Sequence, residues 1–142
     1  MHFVTGGAYN GKAKWVKNHY TIDMDHVQWI SAYRDEPLPV HFDKDTVVLQ
    51  GIEAWIKRDA SKQEAAVIRL NWQEIIGEWR IWEEAKNNRR CILIGADITK
   101  GIVPIEVENR VWRDATGWVF QDIVAASNRV DIIGYGVSQQ LK

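Results

Sequence analysis

The chain has 142 residues, 46% of them apolar and 26% charged, with a formal net charge of −1. This length suits one domain with a real core, and the charge balance gives no reason to expect a nucleic-acid or membrane partner. With no apolar run near the roughly 18 residues of a membrane span, no basic-then-apolar leader and a lone cysteine, Cys91, a cytoplasmic protein is expected by elimination.

The pattern predicts a short first strand over His2–Thr5 that runs straight into Gly6-Gly7. A helix then starts near Lys12 and fades at Asn18-His19, and a second strand is predicted over Val27–Ala32, where Val27, Trp29 and Ile30 favour extended backbone. Residues 34–45 are polar and hold two of the three prolines, so they are read as loop. A third strand over 46–49 ends at Gly51, and Ile52-Glu53-Ala54-Trp55-Ile56 opens a short helix.

A long amphipathic helix follows. Ile68, Trp72, Ile75, Ile76, Trp79 and Trp82 recur at helical spacing, with Arg69, Glu74, Glu78 and Arg80 on the other side and Asn87-Asn88 closing it. The run from Cys91 to Gly95 is continuously apolar, as a strand covered on both faces should be. Pro104 precedes a helix over 106–127, and a last strand is predicted over 130–133. Strands separated by helices predict a mostly parallel, helix-covered α/β sheet. No repeat, low-complexity tract or linker interrupts residues 1–142, so a single domain is expected. The eight tryptophans are read as core or subunit-contact rings, because aromatic side chains act mainly through buried area.

The strongest local motif is Gly6-Gly7-Ala8-Tyr9-Asn10-Gly11-Lys12-Ala13, which fits G-x-x-x-x-G-K between a predicted strand and a predicted helix. Glycines let the backbone curl so that successive N–H groups face phosphate, the helix N-terminus adds its dipole, and Lys12 reaches the phosphate oxygens. The position after the lysine normally carries a hydroxyl for the Mg²⁺ shell, and Ala13 has none.

The C-terminal third carries a more specific pattern. It comprises Asp97, Gly101-Ile102-Val103-Pro104, Arg110, Arg113-Asp114, Gly117, Gln121, Ala125-Ala126, Val130, Gly136 and Leu141-Lys142. With Thr5-Gly6-Gly7-Ala8 and the strand from Val27 to Ala32, it resembles the adenosylcobinamide kinase/adenosylcobinamide-phosphate guanylyltransferase family of cobalamin biosynthesis. The resemblance implies a P-loop NTPase-like domain that binds GTP or ATP with Mg²⁺. It implies phosphorylation of the aminopropanol hydroxyl of adenosylcobinamide, a corrinoid, followed by GMP transfer through a guanylylated histidine. It also implies a homo-oligomer, typically a trimer.

The chain departs from that family at several positions. Ala13 replaces the loop serine or threonine, Gln50 replaces the acid at the end of the third strand, and Phe120 replaces the asparagine before Gln121. The family's long histidine-bearing segment is reduced to residues 33–45, where His41 is the sole histidine, with Asp43 or Asp45 as a candidate orienting partner. His41 is therefore read either as a nucleophile or as a solvated loop residue; His2, His19 and His26 rank behind it. Asp97 stands in place of the family's glutamate, where it either meets a ligand or caps a loop. Arg110 and Arg113, three apart on one helix, either clamp phosphate or join a salt-bridge network. No residue set stands out as a metal site. A working kinase, a diverged binding paralogue with little turnover, and a structural partner of an intact homologue are all compatible with these residues.

Overall fold

A computed structural model describes residues Met1–Lys142. Six strands form one sheet: β1 (His2–Gly6), β2 (Val27–Ser31), β3 (Thr46–Gln50), β4 (Arg90–Ala96), β5 (Arg129–Gly134) and β6 (Val137–Gln140). Four helices accompany them: α1 (Lys12–His19), α2 (Ile52–Ala60), α3 (Ala65–Glu84) and α4 (Val107–Ala126). The spatial order is β2-β3-β4-β1-β5-β6. The first five strands are parallel, so the expected α/β class and mostly parallel sheet are found. No helix is long and apolar enough to cross a membrane.

Hydrophobic patterning explains the layers. Val47, Val48 and Leu49 of β3 and the run from Cys91 to Ala96 in β4 are buried, which requires cover on both faces. On one face, Phe3, Val47, Leu49, Cys91 and Leu93 pack against Ile56, Ile68, Trp72, Ile76, Trp79 and Ile123 of α2, α3 and α4. The other face turns Val4, Val48, Ile92, Ile94 and Ile133 toward Val16 of the short helix α1. This second face also buries a polar contact. The His2 ring sits 2.7 Å from Asp131 through Nε2 and bonds the Tyr20 hydroxyl through Nδ1. The contact ties β1, β5 and the end of α1 together. Burial holds the His2 pKa below its ordinary value, with Asp131 opposing that shift.

Several expected boundaries move. The second strand stops at Ser31, whose hydroxyl accepts the Tyr33 N–H at 3.2 Å and starts a 3₁₀ turn over Ala32–Arg34. Helix α2 runs on to Ala60, and α3 ends at Glu84, short of Asn87-Asn88. Strand β6 is an addition. Tyr135 and Gly136, at φ 53° and 76°, make a tight turn that returns the chain antiparallel to β5. Its four residues are exposed and its side chains carry no apolar alternation, which is why no strand is predicted there.

The chain order positions the site. After β1 the chain crosses to the far edge, steps back through β3 and β4 to pair with β1, and only then adds β5 on β1's other side. The carboxyl ends of β1, β3 and β4 therefore open onto a common edge, where open α/β sheets form ligand crevices.

Two glycines test this packing in opposite directions. A Cβ on Gly6, at φ 141°, would lie 2.2 Å from the Ile133 carbonyl oxygen, whereas one on Gly77 of α3 meets nothing within 4 Å. Gly6→Ala is expected to cost at least the roughly 1–3 kcal/mol of backbone strain alone, and Gly77→Ala to gain about 0.5–1 kcal/mol. Urea denaturation reads both; a neutral Gly6→Ala would contradict the close β1–β5 approach.

Candidate functional site

The turn between β1 and α1 is built to expose backbone donors. Gly6 ends β1 in a conformation open to glycine, Tyr9 takes a left-handed φ of 61°, and Gly11 caps α1 at φ 85° without a side-chain bond. Asn10 anchors the loop from outside. Its carbonyl accepts the Gly136 N–H at 2.9 Å and its side-chain oxygen accepts the Tyr135 N–H at 3.1 Å, so the β5–β6 turn holds the loop in place. The N–H groups from Gly7 through Lys14 have no acceptor within the protein; the first to find one is Trp15, bonded to Gly11 at 2.9 Å. Consecutive donors at a helix N-terminus make an anion-binding surface.

Lys12 is only 8% exposed, and its ammonium donates to the Gly7 carbonyl at 2.7 Å. It folds back over the loop, with further N–H donors to spare. Burial lowers its pKa, and the nearby Glu53 carboxylate opposes that shift.

Beside the loop lies a cleft of about 590 Å³, walled by the carboxyl ends of β3 and β4, by α2, and by Trp112 of α4. Gly51, at φ 90°, bends β3 into α2, and its N–H bonds the Ile94 carbonyl at 2.9 Å. That bend carries Glu53 into the cleft wall, where it is 4% exposed. One carboxylate oxygen accepts the Tyr33 hydroxyl and the other the Ala96 N–H at 2.9 Å, while the Glu53 carbonyl accepts Trp112 Nε1 at 2.8 Å. Glu53 thus joins α2, β4, α4 and the turn after β2. Burial and the Glu53 bond push the Tyr33 pKa up. The cleft's charged lining is Lys12, Lys14 and Lys57 against Glu53 alone, with the Lys57 ammonium 4.7 Å from the Trp112 ring centre. A concentration of cations in a protein of net charge −1 favours an anionic ligand.

The residues singled out in the sequence fall into two groups. Gly11, Lys12 and Ala13, with Ala8 and Tyr9, line the cleft, and Gly6, Gly7 and Asn10 shape the loop. Gln50 also reaches the wall, but its Oε1 accepts Trp29 Nε1 at 2.9 Å. Asp97 caps its own loop: its carboxylate accepts the Thr99 N–H at 2.9 Å and the Thr99 hydroxyl at 2.7 Å. Arg110 donates to the Pro104 and Ile105 carbonyls, so it fastens the segment leading into α4. Neither Arg110 nor Arg113 lines the cleft.

His41 lies elsewhere. Its exposed ring is 3.6 Å from Asp43, whose N–H bonds Gln28 near the start of β2, and neighbouring Phe42 packs on Trp82. The solvated-loop alternative describes its setting. No group of three or more histidine, cysteine or acidic residues is placed to hold a metal.

Sequence reasoning passed over Glu53, Tyr33, Lys14, Lys57 and Trp112. Glu53 could have been found: it shares a helical face with Ile52, Ile56 and Ala60, all buried, and an acid on such a face needs partners. Trp112, read as core or contact, packs against the core and also walls the cleft. Neither a scan against protein-family models nor a search of curated proteins finds a match.

Removing the Glu53 side chain strands the Tyr33 hydroxyl and the Ala96 N–H. Glu53→Ala is expected to lose about 1–3 kcal/mol of stability for those donors, whereas Glu53→Gln, which keeps an acceptor oxygen, loses less. Thermal and urea unfolding compare the two; equal stability of Glu53→Ala and wild type would contradict this stapling role.

Proposed function

We propose that this chain is a P-loop-type domain that binds the phosphate chain of a nucleoside triphosphate, GTP or ATP, in the cleft beside the glycine loop. The observation that carries the reading is the run of N–H groups from Gly7 through Lys14 that have no acceptor in the protein, next to the buried Lys12 ammonium. Phosphate oxygens are acceptors only, so they match a surface made of donors. Lys14 and Lys57 add charge at the cleft, and the Trp112 ring and Ile98 give its wall an apolar side. The resemblance to the adenosylcobinamide kinase/guanylyltransferases supplies the context: a protein of cobalamin biosynthesis with a corrinoid as second ligand and identical subunits as partners.

Within that family, a diverged binding paralogue with little turnover is the better-supported form. Phosphoryl transfer asks for groups that steady the transferring phosphoryl and the metal. Ala13 offers no oxygen, the Gln50 amide is held by Trp29, and Asp97 lies outside the cleft lining. Histidine guanylylation asks for a ring at the phosphates, and His41 sits outside the cleft lining. Lys12 and the loop amides would bind and orient phosphate.

Calorimetric titration of GTP, ATP and tripolyphosphate into wild type and Lys12→Ala tests the reading. A charge-assisted hydrogen bond contributes about 1.5–3 kcal/mol, so Lys12→Ala should weaken binding by roughly 10- to 150-fold. Lys62→Ala, an exposed lysine outside the cleft, should leave it unchanged. Because the ammonium is the binding form and its pKa is lowered, affinity should fall as pH rises, earlier than for a solvent-exposed lysine. Absence of binding at millimolar ligand would sink the proposal.

A further inference from the structure

The implied Mg²⁺ is a poor fit to the residues of this cleft. Mg²⁺ needs hard oxygen donors in octahedral geometry and is usually held by one or two carboxylates beside the substrate phosphates. Position 13 carries a methyl group, the Gln50 oxygen accepts from Trp29 at 2.9 Å, and Asp97, which bonds Thr99 through one oxygen, lies outside the cleft lining. Glu53 is the one carboxylate in the cleft lining, and each of its oxygens already accepts a hydrogen bond. A metal drawing on Glu53 would share oxygens that already accept from the Tyr33 hydroxyl and the Ala96 N–H, two contacts that fix the cleft wall.

Positive charge is supplied another way. Lys12, Lys14 and Lys57 line the same cleft, and the free amides from Gly7 through Lys14 add oriented dipoles. These groups can offset the charge of a phosphate chain without a metal. A Mg²⁺ ion already bound to the chain would bring positive charge toward three ammonium groups, which Coulomb repulsion disfavours.

We infer that the cleft takes its nucleoside di- or triphosphate in the metal-free form, with the three lysines in the charge-neutralising role. The inference rests on the phosphate-binding reading above. Under it, Mg²⁺ acts as a competitor that lowers the concentration of the bound species. Ala13 and Gln50 are the positions responsible: both line the cleft, and the resemblance would place a hydroxyl and a carboxylate there.

The test is calorimetric titration of GTP and ATP in EDTA and in excess Mg²⁺, using wild type and the Ala13→Ser/Gln50→Glu double variant. Wild type should bind at least as tightly in EDTA as in Mg²⁺, and the restored oxygens should turn the preference toward Mg²⁺. Wild-type binding that Mg²⁺ strengthens roughly tenfold or more, as when a metal bridges protein and phosphate, would overturn the inference and leave the phosphate reading standing. Absence of binding in both buffers would overturn both. A folded double variant, checked by circular dichroism, that still ignores Mg²⁺ would overturn the assignment to positions 13 and 50.

Discussion

A side chain at position 6 would collide with the Ile133 carbonyl, and the cleft depends on that collision being avoided. Because β1 is central, paired with β4 on one side and β5 on the other, its end has no free lateral space. Glycine lets the chain leave the sheet there without disturbing either neighbour. The loop then runs beside the cleft, with Asn10 fastened to the β5–β6 turn. A loop launched from an edge strand would lack this two-sided support.

The energetic balance at the loop is unusual for a protein surface. A left-handed Tyr9 and a desolvated Lys12 ammonium each raise the free energy of the folded chain. The rest of the sheet offsets them: two-faced burial of β3 and β4, the α3–α4 contact with its bidentate Arg69–Asp122 pair at 2.9 Å, and the Glu53 staple. Strain gathered at one edge and compensated elsewhere is what a binding surface requires. An acceptor-rich anion would offer partners to the loop amides and to the Lys12 ammonium.

Particular residues show how far the sequence could be read. The buried strands were legible because Val47-Val48-Leu49 and the run after Cys91 admit only a two-faced environment, and α3 because its apolar residues keep helical spacing over twenty residues. Strand β6 was not, since an exposed edge strand owes its pairing to the turn before it and not to its own side chains. At the site, composition placed the loop and Lys12. It could not say where a short polar side chain turns: Asp97 toward Thr99, Gln50 toward Trp29, Arg110 toward two carbonyls. Those choices are made by neighbours distant in sequence or by local loop geometry. Lys57 and Trp112 meet at the cleft because α2 and α4 pack side by side, a tertiary fact that no local pattern encodes.

The central claim is that the amides between β1 and α1 are an anion receptor. Its most direct measurement is an amide-resolved NMR titration with tripolyphosphate, which carries no base or sugar. The account requires saturable shifts concentrated on the N–H groups from Gly7 through Lys14, with the Lys12 ammonium responding alongside. Shifts scattered over surface lysines outside the cleft, or none at millimolar concentration, would contradict it.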